Sequence, residues 1–208
     1  TGCIRPQGMR YLVEKLRKNF DIELSAHCHD DFGLAVANSL AAYEAGIDAL
    51  SLSVNGLGER CGNASLEEVV MSLYALYGVD MGYKTSVLKE LSEMVSKYSG
   101  IPIPINKAIV GPNAFRHESG IHVAAVIKCP FTYESYEPQA VGQERKLTFG
   151  RHSGSEGVRE KLKSMGMQVT DKELAEIIRA LKTMPVDASP IDNGGLLAFV
   201  NAVLNRKG

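Results

Sequence analysis

The chain has 208 residues, a hydrophobic fraction of 45% and a net charge of −1 at pH 7. These values indicate a globular protein that buries a sizeable core, and they argue against nucleic acid as the main partner. The four cysteines are scattered without C-x-x-C spacing, which indicates reduced thiols. The sequence contains no apolar run near the ~20 residues of a membrane span, and Thr1–Arg10 contains no apolar signal region. These features predict a cytoplasmic protein with no membrane contact.

The first 80 residues alternate between predicted helices and strands. Helices are predicted over Pro6–Asn19, Leu34–Ala45 and Ser65 to about Tyr77, the last opened by a Ser65–Glu68 capping box; strands are predicted over Ile22–His29 and Ala49–Val54, with a glycine-rich loop over Asn55–Asn63. This order is typical of a parallel α/β unit. Because two parallel strands alone do not make a stable sheet, we expect the chain to be part of a longer protein or to complete its fold with another chain.

After Gly78 the sequence becomes amphipathic and then rich in turns. Further helices are predicted over Ser86–Tyr98, from a Thr170–Glu173 capping box to about Lys182, and over Asn193–Leu204. Prolines make Ile101–Pro104 extended, and residues 111–154 show little regular periodicity. These changes predict boundaries near residues 80 and 142, and so three regions: 1–80, 81–141 and 142–208.

Two histidines stand at the end of the first predicted strand, in the order His27-Cys28-His29, and Asp30-Asp31 follows directly. Because alternate residues of a strand project to the same face, both imidazoles project together and Cys28 projects away. Two convergent imidazoles at a strand end form half of a divalent metal site. The alternative interpretation is a pair of structural histidines near a turn.

Four segments resemble signatures of the isopropylmalate, homocitrate and citramalate synthase family. They are His27–Ala42, Asn55–Glu68, His117–His122 and Thr132–Glu134. The resemblance runs in the family's order from residue 1 to about residue 165. It implies an α/β fold in which residues 1–80 are the C-terminal portion of a TIM (β/α)8 barrel, with the metal site at the C-terminal ends of the strands. It also implies a linker subdomain with a catalytic cover over 81–141 and a second, mostly helical subdomain over 142–208.

The same resemblance assigns His27 and His29 as metal ligands and associates Asn63 with the metal. Neutral imidazoles with oxygen ligands suit Mn²⁺, Mg²⁺ or Zn²⁺. Alternatively, Asn63 is a helix-entry residue beside Ser65. The family's remaining ligand is an acidic residue on the first barrel strand, next to a substrate-orienting arginine, and neither matches a residue of this chain. We therefore expect these 208 residues alone to be inactive, and a non-catalytic assembly module is the competing hypothesis.

The activity implied by the resemblance is an acyltransferase that joins acetyl-CoA to a 2-oxo acid and hydrolyses the thioester. A metal polarises the ketone, a base removes a proton from the acetyl methyl group, and the enolate attacks the ketone. His122 and Tyr133 are implied as acid/base or water-activating groups, on a segment that can reach the active site of a partner subunit in a homodimer.

The expected 2-oxo acid is 2-oxoglutarate, which gives homocitrate. The reason is that the chain stops at Gly208, whereas isopropylmalate synthases usually continue into a regulatory domain. The alternatives are 2-oxoisovalerate, which gives 2-isopropylmalate, and pyruvate, which gives citramalate.

Several other polar residues have two open interpretations each. His117 is structural or takes a direct part, and Glu118 orients a histidine or is a surface carboxylate. A Glu59–Arg60 salt bridge would organise the glycine-rich loop. The basic residues Arg145, Lys146, Arg151 and His152 form a solvated face or contact the phosphates of coenzyme A.

Overall fold

A computed structural model describes residues 2–204, and for Ile121 and Asn193 it describes the backbone alone. Thr1, and residues 205–208 at the end of the predicted 142–208 region, lie outside the described residues. The chain divides into two compact units, Thr1–Gly111 and Pro112–Gly208. This division lies between the boundaries predicted near residues 80 and 142, and those three predicted regions stay a prediction.

In the described part of the first unit, helices flank a two-stranded parallel ladder. The helices are α1 (Pro6–Asn19), α2 (Ala35–Glu44), α3 (Leu66–Tyr77) and α4 (Leu88–Ser99), and the strands are β1 (Ser25–His27) and β2 (Ala49–Ser51). The ladder pairs Ser25 with Ala49 and His27 with Ser51. Both strands are shorter than predicted. Beyond them the two segments no longer pair with each other, because each pairs with the loop that follows β2, through the isolated bridges His29–Asn63 and Ser53–Ser65.

Helix α4 was predicted to begin at Ser86, but a short 3-10 turn over Thr85–Val87 precedes it. Within the part of the chain that the structure describes, no helix combines the length and the apolar character that crossing a bilayer requires.

The core of the first unit lies on one side of the ladder. Apolar side chains from the helices pack there in two clusters, whose buried members are Val13, Ala26, Cys28, Ala35, Ala42, Ala64, Val69 and Leu73. The other face, which carries Ser25, His27, Ala49 and Ser51, is exposed. Alternation along the strands thus separates an apolar face that is buried from a polar face that can carry a site.

In the described part of the second unit, four helices enclose a larger core beside a two-residue parallel ladder. The helices are α5 (Gly120–Lys128), α6 (Ser155–Ser164), α7 (Asp171–Lys182) and α8 (Asn193–Val203), and the strands are β3 (Arg116–His117) and β4 (Lys146–Leu147). Phe149, Leu162, Ile177, Leu181 and Leu196 are almost fully buried in this core. Apolar contacts between helices therefore hold this unit together.

The two predicted capping boxes have different outcomes. The Thr170 box is confirmed: Glu173 N donates to Thr170 Oγ1 over 3.3 Å, and Thr170 N donates to Glu173 Oε2 over 2.8 Å. The Ser65 box is wrong, because the Ser65 side chain accepts no capping hydrogen bond. Instead, Lys107 Nζ donates to Ser65 Oγ over 3.1 Å and also pairs with Glu68. The partly buried Lys107 ammonium thus contacts both side chains of the expected box.

Candidate functional site

His27 and His29 lie side by side at the end of β1. Their ring centroids are 4.9 Å apart and their planes are nearly perpendicular, at 89°. Between them Cys28 projects into the core and is 4% exposed. Burial raises the pKa of the Cys28 thiol, which outweighs the lowering by its hydrogen bond with Ser39. The predicted alternation is confirmed, and the metal-ligand role of the two histidines stays a prediction.

Backbone pairing brings Asn63 beside His29. The two residues form an antiparallel bridge. On either side of it, Asp30 N donates to Gly62 O over 3.0 Å and Ala64 N donates to Cys28 O over 2.9 Å. The glycine-rich loop that follows β2 therefore returns to the carboxyl end of β1, where the two imidazoles are.

Ser51 lies opposite His27 in the ladder and contacts its ring. The distance from His27 Nδ1 to Ser51 Oγ is 3.2 Å. Such a contact fixes the ring orientation and leaves Nε2 for another ligand. Sequence reasoning missed Ser51, because only the folded chain shows which residue of the predicted strand Ala49–Val54 pairs with His27.

The Asn63 amide is oriented through its nitrogen. Asn63 Nδ2 donates to Leu57 O over 3.1 Å and to Ser53 Oγ over 3.2 Å. Asn63 Oδ1 and His29 Nδ1 are both buried and have no hydrogen-bond partner among the described residues. A buried polar atom without a partner is destabilising by about 1–3 kcal/mol.

A nitrogen and an oxygen of these types are the donors that a divalent cation of intermediate hardness accepts. In the described residues, no group of three or more His, Cys, Asp or Glu side chains is placed to hold a metal ion. The donor types fit a divalent cation, two imidazoles and an amide are what this chain can contribute to such a site, and their role as ligands stays a prediction.

Glycine is required at two points of the loop that carries Asn63. Gly62 has a φ of +91°, and a Cβ there would lie 2.0 Å from Gly56 O. A Cβ on Gly58 would lie 2.3 Å from Asn63 Nδ2. The loop is thus packed against the amide that it carries.

Asp31 and Arg60 join the strand end to this loop. Arg60 Nε donates to Asp31 Oδ1 over 2.7 Å and Arg60 Nη2 to Asp31 Oδ2 over 3.0 Å, while Gly2 N donates to Asp31 Oδ2 over 3.0 Å. The Arg60 guanidinium, with the Gly2 amide, holds the pKa of Asp31 well below its usual range. The predicted partner, Glu59, lies 3.9 Å from Arg60 and is mostly exposed.

In the second unit, His122 and Tyr133 are brought together. Helix α5 carries His122, and Tyr133 follows the 3-10 turn Pro130–Thr132. Their ring centroids are 4.0 Å apart with an angle of 34° between the planes. The ring of His117 lies 6.4 Å from that of His122. The two residues proposed to act in acid/base chemistry are therefore neighbours, and their role stays a prediction.

Glu134 is a buried carboxylate beside this ring cluster that sequence reasoning missed. Its side chain is 3% exposed, and its Oε1 lies 3.0 Å from His117 Nε2. Arg145 Nε donates to its two oxygens over 2.9 and 3.0 Å, and Arg145 Nη2 donates over 2.5 Å. Burial raises the pKa of Glu134, but Arg145 and His117 outweigh it, so the pKa lies below its usual range.

Two sequence interpretations change as a result. Glu118 was considered as the carboxylate that orients a histidine, but it accepts from His152 N over 3.4 Å, and Glu134 contacts His117 instead. The expected basic cluster is not a set of free cations: Arg145 pairs with Glu134, and Arg151 donates to Met184 O over 3.0 Å. The sequence feature that could have pointed to Glu134 as a functional carboxylate is its position directly after Tyr133.

Comparisons with known proteins match both units. Residues 1–95 match the family model HMGL-like, and residues 109–188 match the model of the homocitrate synthase post-HMGL domain. Homocitrate synthase AksA of Methanopyrus kandleri is 50% identical over 208 residues, covering 100% of this chain and 52% of that protein.

Two further relatives come from Methanocaldococcus jannaschii. Its 2-isopropylmalate synthase is 46% identical over 99% of this chain and 40% of its own length. Its (R)-citramalate synthase CimA is 43% identical over 99% of this chain and 42% of its own length. The chain thus spans about half or less of the length of these curated relatives.

These matches define the class: an HMGL-like TIM-barrel segment followed by a mostly helical post-barrel domain. The chain belongs to the family whose members include homocitrate, 2-isopropylmalate and citramalate synthases. The two-stranded ladder of the first unit is accordingly a pair of barrel strands, and its exposed polar face is of the kind that lines a barrel interior.

Proposed function

We propose that the complete polypeptide is a metal-dependent acyltransferase that condenses acetyl-CoA with a 2-oxo acid. The observation that carries this proposal is a pair of buried polar atoms, His29 Nδ1 and Asn63 Oδ1, at the carboxyl end of a barrel strand. Neither has a hydrogen-bond partner in the part of the chain that the structure describes. Homologues of this chain bear the names of such synthases. The enzyme is cytoplasmic and acts as a homodimer in this proposal.

His27, His29 and Asn63 hold the divalent cation, which is Mn²⁺, Mg²⁺ or Zn²⁺. When bound, the cation supplies Lewis-acid polarisation of the 2-oxo group. Ser51 fixes the His27 ring through the 3.2 Å contact, and Ser53 and Leu57 orient the Asn63 amide. Two imidazoles and an amide leave positions for substrate and water, and for the acidic ligand that the family resemblance implies outside these 208 residues.

His122 and Tyr133 carry the proton transfers. In the condensation a proton leaves the acetyl methyl group, a bond forms between that carbon and the ketone carbon, and the ketone oxygen gains a proton. Water then cleaves the thioester C–S bond and free coenzyme A leaves. An imidazole and a phenol in contact suit this exchange, because histidine gains and loses a proton near neutral pH.

The substrate that we favour is 2-oxoglutarate, and the product is homocitrate; 2-oxoisovalerate and pyruvate are the alternatives. The test is thiol release from acetyl-CoA by the metal-loaded complete polypeptide with each acid in turn. The highest kcat/KM with 2-oxoglutarate supports homocitrate synthesis, and the highest value with another acid reassigns the substrate. No release with any of the three acids would overturn the proposal in favour of a non-catalytic assembly module.

A further inference from the structure

The loop between β2 and α3 adopts a strained backbone where it carries Arg60. Arg60 has a φ of +57°, in the left-handed region that residues other than glycine rarely adopt. Such a conformation is destabilising for a residue with a side chain and persists where the surroundings hold it. Two restraints surround it: Gly62 N donates to Glu59 O over 3.0 Å, and the Arg60 guanidinium forms its two hydrogen bonds with Asp31.

This ion pair lies close to the candidate metal ligands along the chain. Asp31 is two residues beyond His29, and Arg60 is three residues before Asn63. Planar, two-point pairing between a guanidinium and a carboxylate fixes geometry more tightly than a single contact. The loop also contacts the Asn63 side chain directly, because Leu57 O accepts a hydrogen bond from the Asn63 amide nitrogen over 3.1 Å.

We propose that Asp31 and Arg60 are positioning residues for a divalent cation, and that their ion pair sets where the loop holds the Asn63 amide relative to the two histidines. The inference rests on the metal site of the proposed function. Neither residue touches the cation in this proposal. Their effect passes through the loop, as with hydrogen-bond partners that orient metal ligands elsewhere.

The same unit contains a matched control at the other end of the ladder. Asp48, directly before β2, accepts from Leu24 N over 2.7 Å and pairs with Arg17. Like Asp31, it is thus a carboxylate shared by a backbone amide and a guanidinium. It lies at the amino ends of the strands, away from the histidines, so its loss affects stability without affecting the site.

The experiment is a titration of the complete polypeptide with Mn²⁺ alone, followed by calorimetry and by the EPR signal of the remaining aqueous Mn²⁺. The variants are Asp31→Asn, Arg60→Gly and the control Asp48→Asn, each with a measured thermal midpoint. We expect Asp31→Asn and Arg60→Gly to raise the Kd for Mn²⁺ by about 10–100-fold, and Asp48→Asn to leave it unchanged.

Arg60→Gly separates positioning from general stability. Glycine adopts a φ of +57° without strain, so the thermal midpoint should change little while the affinity falls. An unchanged Kd in both site variants, or an equal loss in Asp48→Asn, would overturn the positioning role. A parent protein that binds no Mn²⁺ would instead overturn the metal site itself, so the two failures are distinct.

Discussion

Glu134 shows at the scale of one residue how a buried charge is accommodated. Arg145 and Glu137 are its neighbours in one ion-pair network, but Glu137 is 49% exposed whereas Glu134 is 3% exposed. A charge that is removed from water needs its partners, while an exposed one contributes little. The two carboxylates therefore make a matched pair for mutation.

Replacing Glu134 with Gln should remove a pH-dependent part of the stability. Because its pKa is lowered in the folded protein, the carboxylate stabilises the fold above its unfolded-state pKa of about 4.3. That contribution is lost as the pH falls through the lower, folded value. At pH 7, Glu134→Gln should reduce the free energy of unfolding by on the order of 2 kcal/mol.

Urea denaturation between pH 3 and pH 7 measures this effect. The difference between the parent protein and Glu134→Gln should be largest at neutral pH and should shrink on acidification. Glu137→Gln is the control and should change the free energy of unfolding by less than about 1 kcal/mol. A difference that grows as the pH falls would mean that the sign of the Glu134 contribution is wrong.

At the scale of the element, the glycine-rich loop is shaped by what packs against it. Gly58 does not have a positive φ, so the backbone conformation itself does not require glycine there. The requirement comes from the 2.3 Å that would separate a Cβ from Asn63 Nδ2. Gly58→Ala should displace the amide and raise the Kd for Mn²⁺ by about 10-fold.

Gly194→Ala is the control for this substitution, since its Cβ would meet only Asp192 Oδ1, at 3.5 Å. Calorimetric titration of both variants should show a loss for Gly58→Ala alone. Parent-like affinity in Gly58→Ala would show that the loop tolerates a side chain beside Asn63.

The confirmed capping box at the start of helix α7 can be tested by mutation of Thr170. Thr170→Ala removes the acceptor for Glu173 N and should reduce the free energy of unfolding by about 1 kcal/mol. Thr170→Ser keeps a hydroxyl and should stay close to the parent value. Thermal denaturation of the two variants makes the comparison, and equal midpoints would contradict the capping role.

The sequence predicted those elements whose signal is local. Helix α7 has both a cap and an amphipathic pattern, and its predicted bounds agree with Asp171–Lys182. Helix α5 lies in the segment 111–154, where the sequence shows little regular periodicity, and helix α6 lies in a stretch for which no element was predicted. Helix α5 is apolar on most of its surface and packs against α6, so it shows no amphipathic period. The Ser65 box failed because Lys107, 42 residues away, competes for its groups.

The candidate site also combines features that neighbouring residues determine with contacts between distant residues. Strand alternation was sufficient to place His27 and His29 on one face, because alternation is a property of neighbouring residues. The Asp31–Arg60 pair, whose partners are 29 positions apart, and the Glu134–Arg145 pair depend on how loops return to the strands. No spacing rule within one element reports such contacts, so they became visible only in the folded chain.

At the scale of the whole molecule, the two candidate chemical groups are carried by different units. The imidazole–amide set belongs to Thr1–Gly111, and the His122–Tyr133 pair belongs to Pro112–Gly208. If the second unit acts on the site of a partner subunit, two inactive variants should complement each other. A mixture of His29→Ala and His122→Ala proteins should then regain thiol release, because mixed dimers hold one site with both groups intact.

Subunit exchange must be shown separately in this mixture, for example with differently tagged chains. His29→Ala mixed with a second His29→Ala preparation is the control and should stay inactive. Demonstrated exchange without any recovery would exclude action of His122 across subunits and leave only action within its own chain to be tested.

The metal centre at His27, His29 and Asn63 is the central claim, and a Mn²⁺ titration of three neighbouring variants tests it most directly. In the complete polypeptide, His27→Ala and His29→Ala should each lose most of the affinity. Cys28→Ser should keep it, because that side chain points into the core on the opposite face. Loss of binding in Cys28→Ser, with affinity retained in either histidine variant, would contradict the account.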